Sequence, residues 1–115
     1  MVMKAKAFKM TSAGYVPCSV EDATHIEINV PGPIPTRIIP VIIKGSRRGT
    51  KCWTWNGSLD KPDLKPSLLT KTGYKLEVIC HSFVNDGKVK FLSDCTHEFA
   101  GKTMDLLDVE GEDDE

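Results

Sequence analysis

The sequence predicts a mostly β fold: a small single domain built as an antiparallel sheet or sandwich, or as a partly open barrel, with little helix. Three observations predict it. Thr24–Val30 (THIEINV) and Tyr74–Val84 (YKLEVICHSFV) alternate with period two, which places successive side chains on opposite faces of a strand. Asn85-Asp86-Gly87 joins the second of these to Lys88–Leu92 (KVKFL), a strong hairpin signal. Seven prolines and nine glycines punctuate the chain too often for long helices.

Taken in order, Ala5–Met10 is the first expected strand. In Thr24–Val30, Ile26, Ile28 and Val30 share the face to be buried, and His25, Glu27 and Asn29 the other. Pro31, Pro33 and Pro35 then remove three backbone donors and end it. Arg37–Lys44 (RIIPVIIK) is β-branched but interrupted by Pro40, which predicts an edge or bulged strand. Gly45–Thr50 (GSRRGT) reads as a basic turn, and Lys51–Trp55 as a short aromatic strand closed by Asn56-Gly57. Ser58–Ser67 reads as a loop pinned by Pro62 and Pro66. The Tyr74–Leu92 hairpin follows, and Thr96–Lys102 is expected to hold one short helical turn. The chain contains no internal repeat, so residues 1–104 are read as one β-rich domain and 105–115 as an acidic, disordered tail.

Composition bounds the function. The net charge of −1 hides a split: DLLDVEGEDDE at 105–115 carries seven acids and no base, which leaves +6 on the rest. A mildly basic body with an acidic segment fits a solubility tail, or a segment that competes with nucleic acid or docks on a basic partner. No apolar run approaches the roughly 20 residues that span a bilayer, and MVMKAKAFKM lacks the apolar stretch of a signal peptide. The expectation is therefore a cytoplasmic protein with reduced thiols and no membrane partner. There is no glycine-rich phosphate loop.

The stretch Ile79–His97 (ICHSFVNDGKVKFLSDCTH) concentrates the chemistry. In extended chain Leu76, Val78 and Cys80 share one face and Ile79, His81 and Phe83 the other, so Cys80 and His81 do not serve one metal on a straight strand. Cys95 and His97 are two apart and point the same way. The candidate metal ligands are thus Cys80, His81, Cys95 and His97. A structural zinc wants four ligands, and Cys52 or His25 is the remaining source. The competing reading makes Cys80 a buried apolar residue and His97 a surface hydrogen-bonder. Cys95 and His97 with Asp94 also supply the residue types of a nucleophile, a base and its orienting group. Trp53 and Trp55 flank Thr54 on one face, either as a stacking platform for a base or ligand or as core. With Asn56, Arg47 and Arg48 they form the candidate ligand-binding set.

WTWNGSLDKPDLKPSLL (Trp53–Leu69) followed by CHSFVNDGKVKFLSDCTHEFAGKTMDL (Cys80–Leu106) resembles a family of small phage and prophage proteins, sometimes labelled ammonia-monooxygenase-like. Distant relatives with a similar core resemble proteins encoded beside bacterial ubiquitin-like conjugation genes. The resemblance covers roughly residues 50–107. It implies a compact β-rich domain and, in many members, bound zinc. Those members carry a Cys-Pro-Gly-Cys knuckle about twenty residues before W-T-W-N-G. Here that stretch reads Val30-Pro31-Gly32-Pro33, and neither valine nor proline ligates metal. The oxygenase label lacks support, since such sites need several His or carboxylate ligands and the chain has three histidines.

The expected function is a non-enzymatic phage accessory or host-modulating binding protein, acting on a host or phage protein in the host cytoplasm, without a cofactor. The first alternative is a nucleic-acid or nucleotide binder using the Trp53/Trp55 face and the basic turn. The second is a metal- or thiol-dependent hydrolase, with zinc as the candidate cofactor.

Overall fold

The structure is a computed structural model that describes residues 3–32, 35–43 and 51–109. Arg47, Arg48 and the rest of the expected basic turn lie outside the described residues, as do 110–115. Nine strands form one open sheet: β1 Ala5–Thr11, β2 Gly14–Pro17, β3 His25–Asn29, β4 Thr36–Ile42, β5 Trp53–Trp55, β6 Leu64–Thr72, β7 Val78–Asn85, β8 Lys88–Phe91 and β9 Thr103–Asp105. Their order across the sheet is β2-β1-β3-β4-β5-β6-β7-β8-β9. Neighbours are antiparallel except β4 and β5, which are parallel. Among the described residues no helix is long and apolar enough to cross a membrane. Leu107 bridges Asn29 at the end of β3, and the Lys4 and Ala5 amides donate to the Leu59 carbonyl. The sheet therefore curls toward closure, as the barrel-like expectation requires.

Period two does the sorting. Ile26 and Ile28 of β3 are fully buried, as are Val41 of β4, Trp55 of β5, Val84 of β7 and Val89 and Phe91 of β8. They form one core on the concave face, where removing apolar surface from water is the main stabilising term. The hairpin turn forms as expected: Asp86 and Gly87 both take positive φ (54° and 75°), as a two-residue turn between twisted strands demands.

Three expectations are corrected. The strand predicted at Arg37–Lys44 is interior, flanked by β3 and β5, and not an edge. Pro40 is tolerated there because the Val41 amide, not that of its neighbour, bonds toward β3, at the Thr24 carbonyl. The nitrogen of Pro40 faces the other way, where no donor is missed. The loop predicted at Ser58–Ser67 gives way at Leu64 to β6, the longest strand. Pro66 sits within a register shift between Leu64 and Leu68, a bulge that spares the ladder a missing donor. The hairpin's first strand starts at Val78, not Tyr74. Leu76 has φ 57° and is 58% exposed, so the Tyr74–Glu77 segment is a turn. Strands β2 and β9 carried too few apolar residues to be read from sequence.

The first residues of the acidic segment pack on the sheet. Asp105 pairs with Lys88 at 2.6 Å and Asp108 with Lys4 at 2.7 Å. Leu106 is fully buried, and the Val109 amide donates to the Met3 carbonyl.

Candidate active site

β6 and β7 present Ser67, Leu69, His81 and Phe83 on the convex face, away from the core. His81 lies opposite Leu69 in the ladder. The bulge before Leu68 swings Ser67 diagonally onto the imidazole. Ser67 Oγ lies 3.1 Å from His81 Nε2, and His81 Nδ1 lies 3.0 Å from Asp94 Oδ2. A carboxylate can only accept, so Nδ1 carries the proton and Nε2 is left to accept from the serine hydroxyl. This is the hydroxyl–imidazole–carboxylate relation of a serine nucleophile with its base and orienting acid, recognised by geometry and not by chain order.

Each member is held by local backbone. Asp94 sits in a tight turn closed by the Cys95 amide donating to the Leu92 carbonyl. The segment bearing that turn is pinned to the β8 side of β7, past the end of β8, because the Leu92 amide donates to the His81 carbonyl and the Thr96 amide to the Ile79 carbonyl. The Ile79 amide in turn donates to Thr96 Oγ1 at 2.9 Å. Ser67 is fixed from the other side, where the Trp53 indole donates to its carbonyl at 3.1 Å. The His81 side chain is one quarter exposed and that of Asp94 more than half, so the group opens to solvent.

Directly beneath lies a second cluster. Cys80, Cys95 and His97 bring two sulfurs and an imidazole nitrogen within 4.8 Å of one another and could hold a metal. His97 Nε2 is buried without a hydrogen-bond partner, while its Nδ1 accepts from the Phe99 amide. A buried, orphaned imidazole nitrogen beside two thiols suits zinc, whose usual ligands these are. Burial pushes the His97 imidazole below its usual value, and the nearby Arg37 charge pushes the same way. Burial pushes the Cys80 thiol up, against the opposing pull of the Arg37 guanidinium. Gly32 approaches the His97 ring at 3.8 Å, measured from where a Cβ would stand, so the turn that occupies the knuckle position does face this cluster. Val30 there is buried apolar core, and among the described residues the cluster has three donors.

The sequence candidates are therefore redistributed. His81 leaves the metal set for Ser67 and Asp94. His25 and Cys52 are not part of the cluster. Asp94 orients His81 and not His97. The thiol of the expected Cys95–His97 catalytic pair does not fit a nucleophile: Cys95 is buried, and its Sγ is bonded to the backbone of His81. Trp55 is 1% exposed with its indole bonded to the Ser58 carbonyl, which leaves no second ring for a stacking platform. Trp53 is half-buried, with Lys51 over its ring. Asn56 organises its loop, accepting from the Ser58 and Asp63 amides and donating to the Lys61 carbonyl. Ser67 was missed because it fell in a proline-flanked stretch read as loop. Its flanking P-S-L-L was visible, but nothing local pairs it with His81.

No curated protein and no solved structure matches the chain. A family model matches residues 34–92, a span that includes Ser67 and His81 and stops two residues short of Asp94. That match covers half of the chain, which belongs to the family described as bacterial ubiquitination-like system serine protease (BubE).

Proposed function

We propose that the chain is a serine peptidase acting in a bacterial ubiquitination-like system, with Ser67 as nucleophile, His81 as general base and Asp94 as the orienting carboxylate. The observation that carries this reading is the unbroken Ser67 Oγ–His81 Nε2 and His81 Nδ1–Asp94 Oδ2 contacts, 3.1 and 3.0 Å. This takes up the hydrolase that was the second alternative from sequence, in place of the expected non-enzymatic binding protein, but with a hydroxyl instead of the thiol or metal.

The chemistry follows from these contacts. Ser67 Oγ attacks the carbonyl carbon of the scissile amide while His81 Nε2 takes the hydroxyl proton. Asp94 holds the imidazole in the required tautomer and balances the imidazolium charge. Collapse of the tetrahedral adduct breaks the C–N bond, and His81 returns the proton to the departing amine. An ester to Ser67 remains. Water, deprotonated by His81, attacks that ester, and the proton passes back to Ser67 Oγ as the new carboxylic acid leaves. The Cys80–Cys95–His97 cluster would hold zinc as a structural cross-link under β7, and no step needs it. The accessory role on a phage or host protein has no separate observation in its favour.

The test is cleavage of a bacterial ubiquitin-like protein bearing a C-terminal peptide extension. The reading expects release of the extension by native protein and none by Ser67→Ala. Equal release by both proteins would overturn it.

A further inference from the structure

β5 is three residues long. It fills the sheet only opposite Val41 and Ile42 of β4 and Leu64 and Lys65 of β6. Beyond its first residue, Thr36–Pro40 and Leu68–Thr70 flank a groove of about 350 Å³ with Trp53 at one end. Side chains alternate along a strand, so a groove lined by five successive residues of one strand and three of another is lined by their backbone edges. It lies where β5 would continue.

The register shows which polar groups face it. On β4 the Val41 amide bonds the Thr24 carbonyl, and the Pro35 carbonyl accepts from Val30. Odd-numbered residues of β4 thus bond toward β3, and Ile38 between them turns its N–H and C=O to the groove. On β7 the His81 amide and carbonyl are engaged by Cys95 Sγ and the Leu92 amide, away from β6. Leu69 opposite it is therefore in a non-hydrogen-bonded pair, and its own N–H and C=O also turn to the groove. Two strand edges face each other across one strand position. Ser67 does not line the groove itself but adjoins two residues that do: it precedes Leu68 in sequence, and its carbonyl accepts from the Trp53 indole.

We propose that this groove receives the substrate as an extended peptide strand of a partner protein, in line with β5, hydrogen-bonded to the main chains of Ile38 and Leu69. The strand carries its scissile bond past Ser67. Recognition is by backbone, as in other cases of strand addition to a sheet. Side-chain preference is set by Ile38 and Leu69, both about half exposed, which favour apolar substrate residues on the convex face. The inference rests on the serine peptidase reading and adds to it where and in what conformation the peptide lies.

The experiment uses native protein and three serine-directed probes: diisopropyl fluorophosphate, which has no peptide backbone, an apolar tetrapeptidyl diphenyl phosphonate, and its backbone N-methylated analogue. The peptidyl phosphonate is expected to label Ser67 at least about tenfold faster than its N-methylated analogue, the effect of roughly 1.4 kcal/mol in lost hydrogen bonds. Hydrogen exchange on the labelled proteins is expected to slow at segments 36–40 and 68–70 with the peptidyl adduct and not with the fluorophosphate adduct. Equal rates for the two peptidyl probes without added protection would overturn the groove as the strand site while leaving the serine reading intact. Failure of every probe to label Ser67 would overturn both.

Discussion

Cys95 Sγ lies 3.1 Å from the amide nitrogen of His81 and 3.1 Å from its carbonyl oxygen. The thiol thus accepts from the one and donates to the other, so it clamps the peptide that carries the general base. Replacing it with alanine leaves the His81 amide without its partner, removes one of the two donors to the His81 carbonyl (the Leu92 amide remains) and opens a small cavity. Cys95→Ala is expected to destabilise the fold by about 1–3 kcal/mol. It is also expected to slow fluorophosphate labelling of Ser67, because the imidazole loses its anchor. Cys95→Ser, which keeps a donor and acceptor on a shorter bond, should recover part of both. Denaturant titration and labelling kinetics check this. Folded Cys95→Ala with an unchanged labelling rate would refute the clamp.

The three members of the site should differ in cost. Ser67→Ala and His81→Ala are expected to abolish covalent labelling. Asp94→Asn leaves a side chain of the same shape but one that can donate to Nδ1, which would put the imidazole proton on the nitrogen facing Ser67. A loss of about 10²–10⁴ in rate is expected from the wrong tautomer. Its exposure argues for the lower end of that range, since a screened carboxylate stabilises the imidazolium less. Stopped assays on the three variants, each checked for native circular dichroism, read this out.

Much of the fold was legible, and much less of the site. The alternation of Ile26, Ile28 and Val30 marked β3 and its buried face. The Asn-Asp-Gly turn fixed the β7–β8 hairpin, because those features are local. The faces assigned to Cys80 and His81 also follow from local alternation within β7, whereas Cys95 and His97 lie in a bend and not in an extended strand. Ser67 could not be found that way. β6 reads LKPSLLTKT, with a proline and hydrophilic residues where a strand signal would need β-branched alternation. Its partner His81 is brought near by a bulge that no short window encodes. The tryptophan pair misled for a related reason. Sequence puts Trp53 and Trp55 on one face but does not say that this face is core.

The metal question separates from catalysis. If Cys80, Cys95 and His97 hold zinc, its effect should be on stability and not on chemistry. Adding zinc to metal-free protein is expected to raise the melting temperature, and His97→Ala should remove that rise. A chelator should leave fluorophosphate labelling of Ser67 at its original rate. Loss of labelling on chelation, restored by zinc, would return the site to the metal-dependent class.

The ordered start of the acidic segment has its own signature. The Lys88 ammonium, hydrogen-bonded to Asp105, holds that carboxyl below its ordinary value of 3.8, chiefly through the hydrogen bond and then through its charge. The folded pKa is depressed, so the contribution is present above the unfolded value and is lost as pH falls through the folded one. Both groups are fully exposed, so the effect is small and salt-screened. Asp105→Asn is expected to narrow its stability gap to native protein as pH drops below about 4, the ordinary aspartate range. A gap that is constant from pH 7 to pH 2 in denaturant titrations would contradict this.

The central claim is that Ser67 is an activated nucleophile. Intact-protein mass spectrometry after exposure to diisopropyl fluorophosphate, followed by peptide mapping, tests it most directly. The account predicts one adduct per chain, located on Ser67 and absent from His81→Ala. An unmodified protein under conditions that label a known serine peptidase, or an adduct on another residue with Ser67 free, would contradict it.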